Sequence, residues 1–237
     1  MEIEIKKGIK NYLRISTMEA TTPKVLGQLL ILIDELYRLK LFTDNLEFTS
    51  INKEVSTPEE KILRAIFGDK DKIGTNYISI DNTMHNISKE EYDIILQTIN
   101  NPIESFFSIR VIDFVTNKFK NDLLLRIARI SMNSPIKISF FGIPEIIEKI
   151  KDFIISMTKL KSEIKREKIE NALKLEELRT KRLENIEKFL DLDTKHELRK
   201  YLLNSDEGLG LLEEKINDTL RLTDKITKIE TIREDEL

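Results

Sequence analysis

The chain has no cysteine among its 237 residues. That removes structural disulfides, thiol nucleophiles and thiolate zinc sites together, and it suits a reducing cytoplasm. Histidine is nearly as scarce. His85 and His196 are the only two; they lie far apart in sequence and belong to no metal spacing such as HExxH, so both read as ordinary surface histidines. No serine sits in a GxSxG motif, and a conventional catalytic triad has almost no material. With seven glycines in all, no glycine-rich loop follows a strand, and neither phosphate-cradling fingerprint is present. The longest apolar run, Leu29 to Ile33, is far short of the ~20 residues a membrane-spanning helix needs. The N-terminus has no basic region followed by an apolar stretch, so no leader is expected. Acidic and basic residues nearly balance, 42 against 39, for a net charge of −3 and an isoelectric point near 5.7. No global attraction to nucleic acid or an anionic membrane follows.

What is present is a globular composition, 40% hydrophobic and 34% charged. It suits one compact domain with an extended helical part. Abundant Lys, Ile and Asn fit an AT-rich genome, bacterial or phage.

Pro144 to about Asp193 reads as one long helix. Ile146, Ile150, Phe153, Met157, Leu160 and Ile164 follow in steps of three and four, which puts them on one apolar stripe. Pro144 is tolerated in the first turn, and Gly142 allows a sharp entry. After Ile164 the rhythm slips: Phe153, Ile164, Leu175 and Ile186 are spaced by elevens, which argues against a left-handed coiled coil. Glu170 with Lys174, Glu177 with Lys181 and Glu184 with Lys188 form acid-before-base pairs on a wet face. Unbroken, such a helix would extend about 70 Å at 1.5 Å per residue.

Before it, Glu2 to Lys6 and Asn11 to Ser16 alternate as a hairpin around Lys7-Gly8. Thr22-Pro23 opens a broadly apolar helix through Tyr37, Thr57 to Glu60 is a capping box for a second, and Ser88 to Glu91 is another for a third. Tyr77 to Asp81 reads as a strand and 103–119 leans to helix. Leu123 to Ser131 and Ile136 to Phe141 form a second hairpin across Asn133-Ser134-Pro135. Beyond the long helix come short helices from Lys195 and from Leu211 to Leu222, separated by a break at Asn204 to Gly210, and the Ile/Thr-rich stretch from Lys225 to Ile232 reads as a strand. The expected class is α+β: one largely antiparallel sheet with packed helices as a head over 1–143, a stalk helix over 144–193, and a helical part over 194–237.

Asp69-Lys70-Asp71-Lys72-Ile73-Gly74 starts like a calcium loop. It fails at Ile73 and at Ile80, where oxygen ligands are required. No cofactor or metal is therefore expected, and no catalytic residue is assigned. The leading expectation is a non-catalytic interaction or assembly module, forming a homo-oligomer or holding a protein partner. Its association surface would be Phe153, Met157, Leu160, Ile164, Leu175, Leu178, Ile186 and Phe189, an apolar stripe too long for the head to cover. The alternative is a nucleic-acid-associated protein using Lys159, Lys161, Lys165, Arg166 and Lys168, with Arg126, Arg129 and Lys137 on the second hairpin, Arg126 offset in parity from Arg129. Interleaved glutamates and the lack of aromatics weigh against it. An enzyme with an all-carboxylate site comes last.

Overall fold

The computed structural model describes residues 11–18, 21–45, 73–74, 77–80, 83–86, 88–100, 109–117, 123–166, 172–192 and 194–237. In order these form β1 (Asn11–Thr17), α1 (Pro23–Asn45), β2 (Ile73–Gly74), β3 (Tyr77–Ile80), β4 (Thr83–Asn86), α2 (Lys89–Asn100) and α3 (Ile109–Thr116). There follow β5 (Arg126–Ser131), β6 (Lys137–Phe141), α4 (Pro144–Arg166), α5 (Ala172–Leu190), α6 (His196–Asn204), α7 (Asp206–Thr223), β7 (Ile226–Arg233) and a closing 3-10 turn (Glu234–Glu236). The fold is α+β. The expected first strand at Glu2 to Lys6, the helix from Thr57 and the calcium-like turn from Asp69 to Lys72 lie outside the described residues.

The helix starts follow the chemistry of their first turns. Thr22 caps α1, its Oγ1 accepting from the Val25 N–H at 3.4 Å. At α2 the capping box is complete: the Glu91 N–H donates to Ser88 Oγ at 3.2 Å and the Ser88 N–H to Glu91 Oε2 at 2.6 Å, so two first-turn donors are satisfied reciprocally. Ser205 starts α7, its Oγ accepting from the Gly208 N–H at 3.0 Å. That cap moves the helix start from the expected Leu211 back to Asp206, and the two glycines read as a break lie inside the helix. Residues 109–116 are helical and 226–233 are a strand, as the apolar spacing and the Ile/Thr richness suggest.

The chain divides into two compact units that interleave in sequence, where head, stalk and tail in succession were expected. One comprises residues 1–37, 121–185 and 216–237; the other 38–120 and 186–215.

In the first unit, four strands form an antiparallel sheet in the order β5-β6-β1-β7. Opposite Leu13 stand Phe140 and Thr231, and opposite Ile15 stand Ile138 and Ile229, so these six share one face. Helix α4 packs on it, and Thr231 Oγ1 donates to Glu148 Oε1 of that helix at 2.5 Å. Leu13, Ile15, Ile138, Phe140, Ile147, Ile150 and Met157 are all buried there, each apolar side chain contributing about 1.5–3 kcal/mol by leaving water. Burial alone would push the Glu148 carboxyl up, but its bonds to Lys151 and Thr231 outweigh that and hold it below its ordinary value.

The long helix of the sequence reading is two helices side by side. Asn185 Nδ2 donates to Met157 Sδ at 3.9 Å, and Lys181 Nζ stands 3.9 Å from Glu163 Oε2. In one straight helix the residues of the first pair would be about 42 Å apart at 1.5 Å rise per residue. The physical reason is that one strip of apolar side chains can leave water against the other. The slip in rhythm after Ile164 is where the first strip ends.

In the second unit, β2, β3 and β4 form a separate three-stranded sheet; β3 does not join the four-stranded one. It pairs with β4 from Tyr77↔Asn86 to Ile80↔Thr83. Only Asp81 and Asn82 separate the two strands, and so short a connection costs least in loop entropy. Buried Leu39, Phe42, Ile95, Val111, Ile112, Leu190, Leu198 and Leu212 belong to this unit. Helix α5 ends in a Schellman turn: the Leu192 N–H bonds Glu187 O at 3.0 Å and the Asp191 N–H bonds Lys188 O at 3.3 Å. Asp191 takes the left-handed position with φ 54°, usually a glycine's.

Candidate interaction surface

The stripe expected to associate is covered within the chain. Phe153, Met157, Leu160, Leu178, Ile186 and Phe189 are all buried; Ile164 is half-buried, and Leu175 falls within α5. Most of the side chains offered as a docking face are therefore core. The basic cluster is partly spent as well. Lys161 Nζ donates to the Leu220 carbonyl and pairs with Asp224 at 2.8 Å. Lys159 is exposed, Lys165 and Arg166 end α4, and Lys168 lies outside the described residues.

A charge network around one buried ammonium lies in the second unit. Lys40, only 3% exposed, pairs with Asp44 at 2.5 Å and Asp191 at 3.0 Å. Lys195 pairs with the same Asp44 oxygen at 2.6 Å and donates to the Thr43 carbonyl at 2.9 Å. Burial pushes the Lys195 ammonium down, and Asp44 opposes that shift. The network explains why an aspartate holds the left-handed position, since its carboxylate serves Lys40.

Strand β5 is different. It terminates the sheet among the described residues, and five of its six residues are exposed. Its register with β6 shifts between Ile127 and Arg129, with Arg126↔Phe141 and Ile127↔Phe140 before, and Arg129↔Ser139 and Ile130↔Ile138 after. Ala128 is the extra residue of a β-bulge, and its effect is to reset parity. Ile127 and Ile130, of opposite parity in sequence, both fall on the face of Ile138 and Phe140. Arg126 and Arg129 both fall on the other. The apolar face thus runs outward from a buried core to Ile127 at 51% and Ile130 at 42% exposure, with Met132 just beyond the strand at 69%.

On the opposite face, Tyr12 and Phe141 rings pack at 5.5 Å. The closing turn lies along it: Arg14 Nη2 donates to the Glu236 carbonyl at 2.5 Å, Arg129 Nη1 to the Leu237 oxygen at 2.5 Å, and Tyr12 Oη to Glu234 Oε1 at 3.4 Å. A strict period-2 reading of Leu123 to Ser131 conceals this surface. Its only signal in the sequence is the pair of apolar residues and the pair of arginines that each break alternation by one.

Among the described residues no three His, Cys, Asp or Glu side chains gather as a metal would need, and no helix is long and apolar enough to cross a membrane. Comparison with protein-family models, curated proteins and solved structures gives no match for this chain.

Proposed function

We propose that this chain is a non-catalytic protein-interaction module that receives an extended segment of a partner along β5. The supporting observation is the uncovered apolar margin at Ile127, Ile130 and Met132 on a strand with five of six residues exposed. An edge strand offers a row of main-chain donors and acceptors, and strand addition gains its affinity from them while flanking side chains select the partner. Folded chains ordinarily blunt such an edge with charge or by covering it. On β5 the charge and the bulge are present, as Arg126, Arg129 and Ala128, but large aliphatic side chains stand exposed beside them.

The test is selection of random decapeptides on the immobilised chain, followed by variants. Ala128→Pro, which removes a main-chain N–H, and Ile127→Asp with Ile130→Asp are each expected to abolish binding of the selected peptides, with melting temperature unchanged. Lys159→Glu is expected to leave binding intact. Peptides that bind equally to all three variants would place the surface elsewhere and overturn the reading.

A further inference from the structure

Resting on that reading, we infer that the segment received by β5 is acidic, alternating carboxylate and aliphatic side chains so that the carboxylates meet Arg126 and Arg129 while the aliphatic residues meet Ile127 and Ile130. The hairpin from Leu123 to Ile143 holds three cations, Arg126, Arg129 and Lys137, and no aspartate or glutamate, in a chain whose net charge is −3. The bulge at Ala128 sets both arginines on one face two ladder positions apart. That spacing is about 7 Å, the distance between alternate side chains of an added strand. Opposite charges at facing positions favour pairing and like charges oppose it.

Arginines of this face already act as donors to a neighbouring segment. Arg14 and Arg129 already hold the main-chain oxygens of Glu236 and Leu237, in the stretch that carries Glu234, Asp235 and Glu236. Guanidinium groups on this face therefore donate to main-chain oxygens of a segment laid along it. The bond made by Arg129 is exposed, and a partner carboxylate, a stronger acceptor, can compete for it.

A second copy fits less well. Antiparallel β5–β5 pairing would crowd four arginines onto one face, and two six-residue strands bury less than the roughly 1,000 Å² a stable interface needs. Nucleic acid fits less well too, because β5 offers aliphatic side chains and no aromatic ring for base stacking.

The experiment uses the full chain and fluorescence anisotropy with four labelled probes: a heptapeptide alternating Val and Glu, its Val/Lys and Val/Thr counterparts, and oligothymidylate. The Val/Glu peptide is expected to bind at least tenfold tighter than the Val/Lys peptide, the gap narrowing at high salt. Arg126→Glu with Arg129→Glu is expected to reverse that preference, an outcome that loss of folding cannot produce. Equal binding of all three peptides would overturn the acidic rule while leaving strand addition standing. Binding of none, or tighter binding of oligothymidylate, would overturn both, and dimerisation that Ile130→Asp abolishes would assign the edge to a second copy and sink the inference.

Discussion

Asn185 donates a hydrogen bond to the sulfur of Met157 across 3.9 Å although 28 residues lie between them. That contact fixes α4 and the first part of α5 as neighbours. Spin labels at Thr158 and Glu184 are expected to report a distance under about 20 Å, where one continuous helix would give about 39 Å at 1.5 Å per residue. A distance near the larger value would refute the folded-back arrangement.

The same packing governs what substitution of the stripe does. Met157 is fully buried, so Met157→Ala is expected to destabilise by about 2–5 kcal/mol. In a denaturant titration followed by sedimentation, the loss should appear in the unfolding midpoint, with no change in the mass of the folded species. A variant of unchanged stability that dissociates from an oligomer would restore the stripe as an association face.

Tyr37 holds the entry to α4. Its hydroxyl donates to the Leu123 carbonyl at 2.7 Å and accepts from the Ile143 N–H at 2.8 Å, and burial pushes the phenol up to about 12. Because the folded value lies above the ordinary one of 10.0, this group's contribution is complete below pH 10 and is lost as pH rises through about 12, by about 2–3 kcal/mol at most. Tyr37→Phe is expected to cost about 1–3 kcal/mol at neutral pH and to flatten that part of the alkaline stability profile. A β-carbon at Gly142 would stand 2.7 Å from Tyr37 Cε2, so Gly142→Ala should lower the melting temperature as well. Equal alkaline profiles for wild type and Tyr37→Phe would show that the phenol is not held in this way.

Two glycines of α7 give opposite expectations. A β-carbon at Gly208 would meet the Leu202 carbonyl oxygen at 2.4 Å, whereas at Gly210 nothing lies within 4 Å. Gly208→Ala should destabilise, since backbone cannot yield cheaply. Gly210→Ala should stabilise by up to about 1 kcal/mol, because alanine is the better helix former. Calorimetry of the two variants checks both signs at once.

The charge network gives a further asymmetry. Removing Asp44 takes a shared partner from Lys40 and Lys195 but leaves Lys40 paired with Asp191 and Lys195 bonded to the Thr43 carbonyl, so Asp44→Ala is expected to cost about 1–3 kcal/mol. Removing Asp44 and Asp191 together strands the buried ammonium of Lys40 and should cost more than Lys40→Met, which removes that ammonium itself. Comparison of chemical unfolding midpoints decides it, and a larger loss for Lys40→Met than for the double aspartate variant would contradict the account.

The local rules were legible where one residue's chemistry decides an element. Thr22-Pro23, the Ser88 to Glu91 box and the Asn133-Ser134-Pro135 turn each stand where the sequence places them. What could not be read was which surfaces meet. Apolar spacing from Ile146 to Ile164 specifies a helix and a stripe but not its cover, so self-packing against α5 and association with another chain look alike. The edge at β5 was hidden for a related reason: one bulged residue, Ala128, reverses the parity on which strand reading depends, and the two arginines set down as offset share a face. Ser205 illustrates a third limit, since a single hydroxyl outweighs two glycines in setting where α7 begins.

Strand β1 lies between β6 and β7, and both partners are encoded far downstream of it. At about 5–20 residues per second, β7 leaves a ribosome on the order of ten seconds or more after β1. Leu13 and Ile15 therefore wait for Ile138 and Phe140 of β6, and longer still for Ile229 and Thr231 of β7, and no nascent chain stopped before Ile226 can complete the sheet. Among the described strands the first made is fully enclosed only when the last has left the ribosome, so slower translation lengthens the time its apolar side chains stay open to proteases and chaperones.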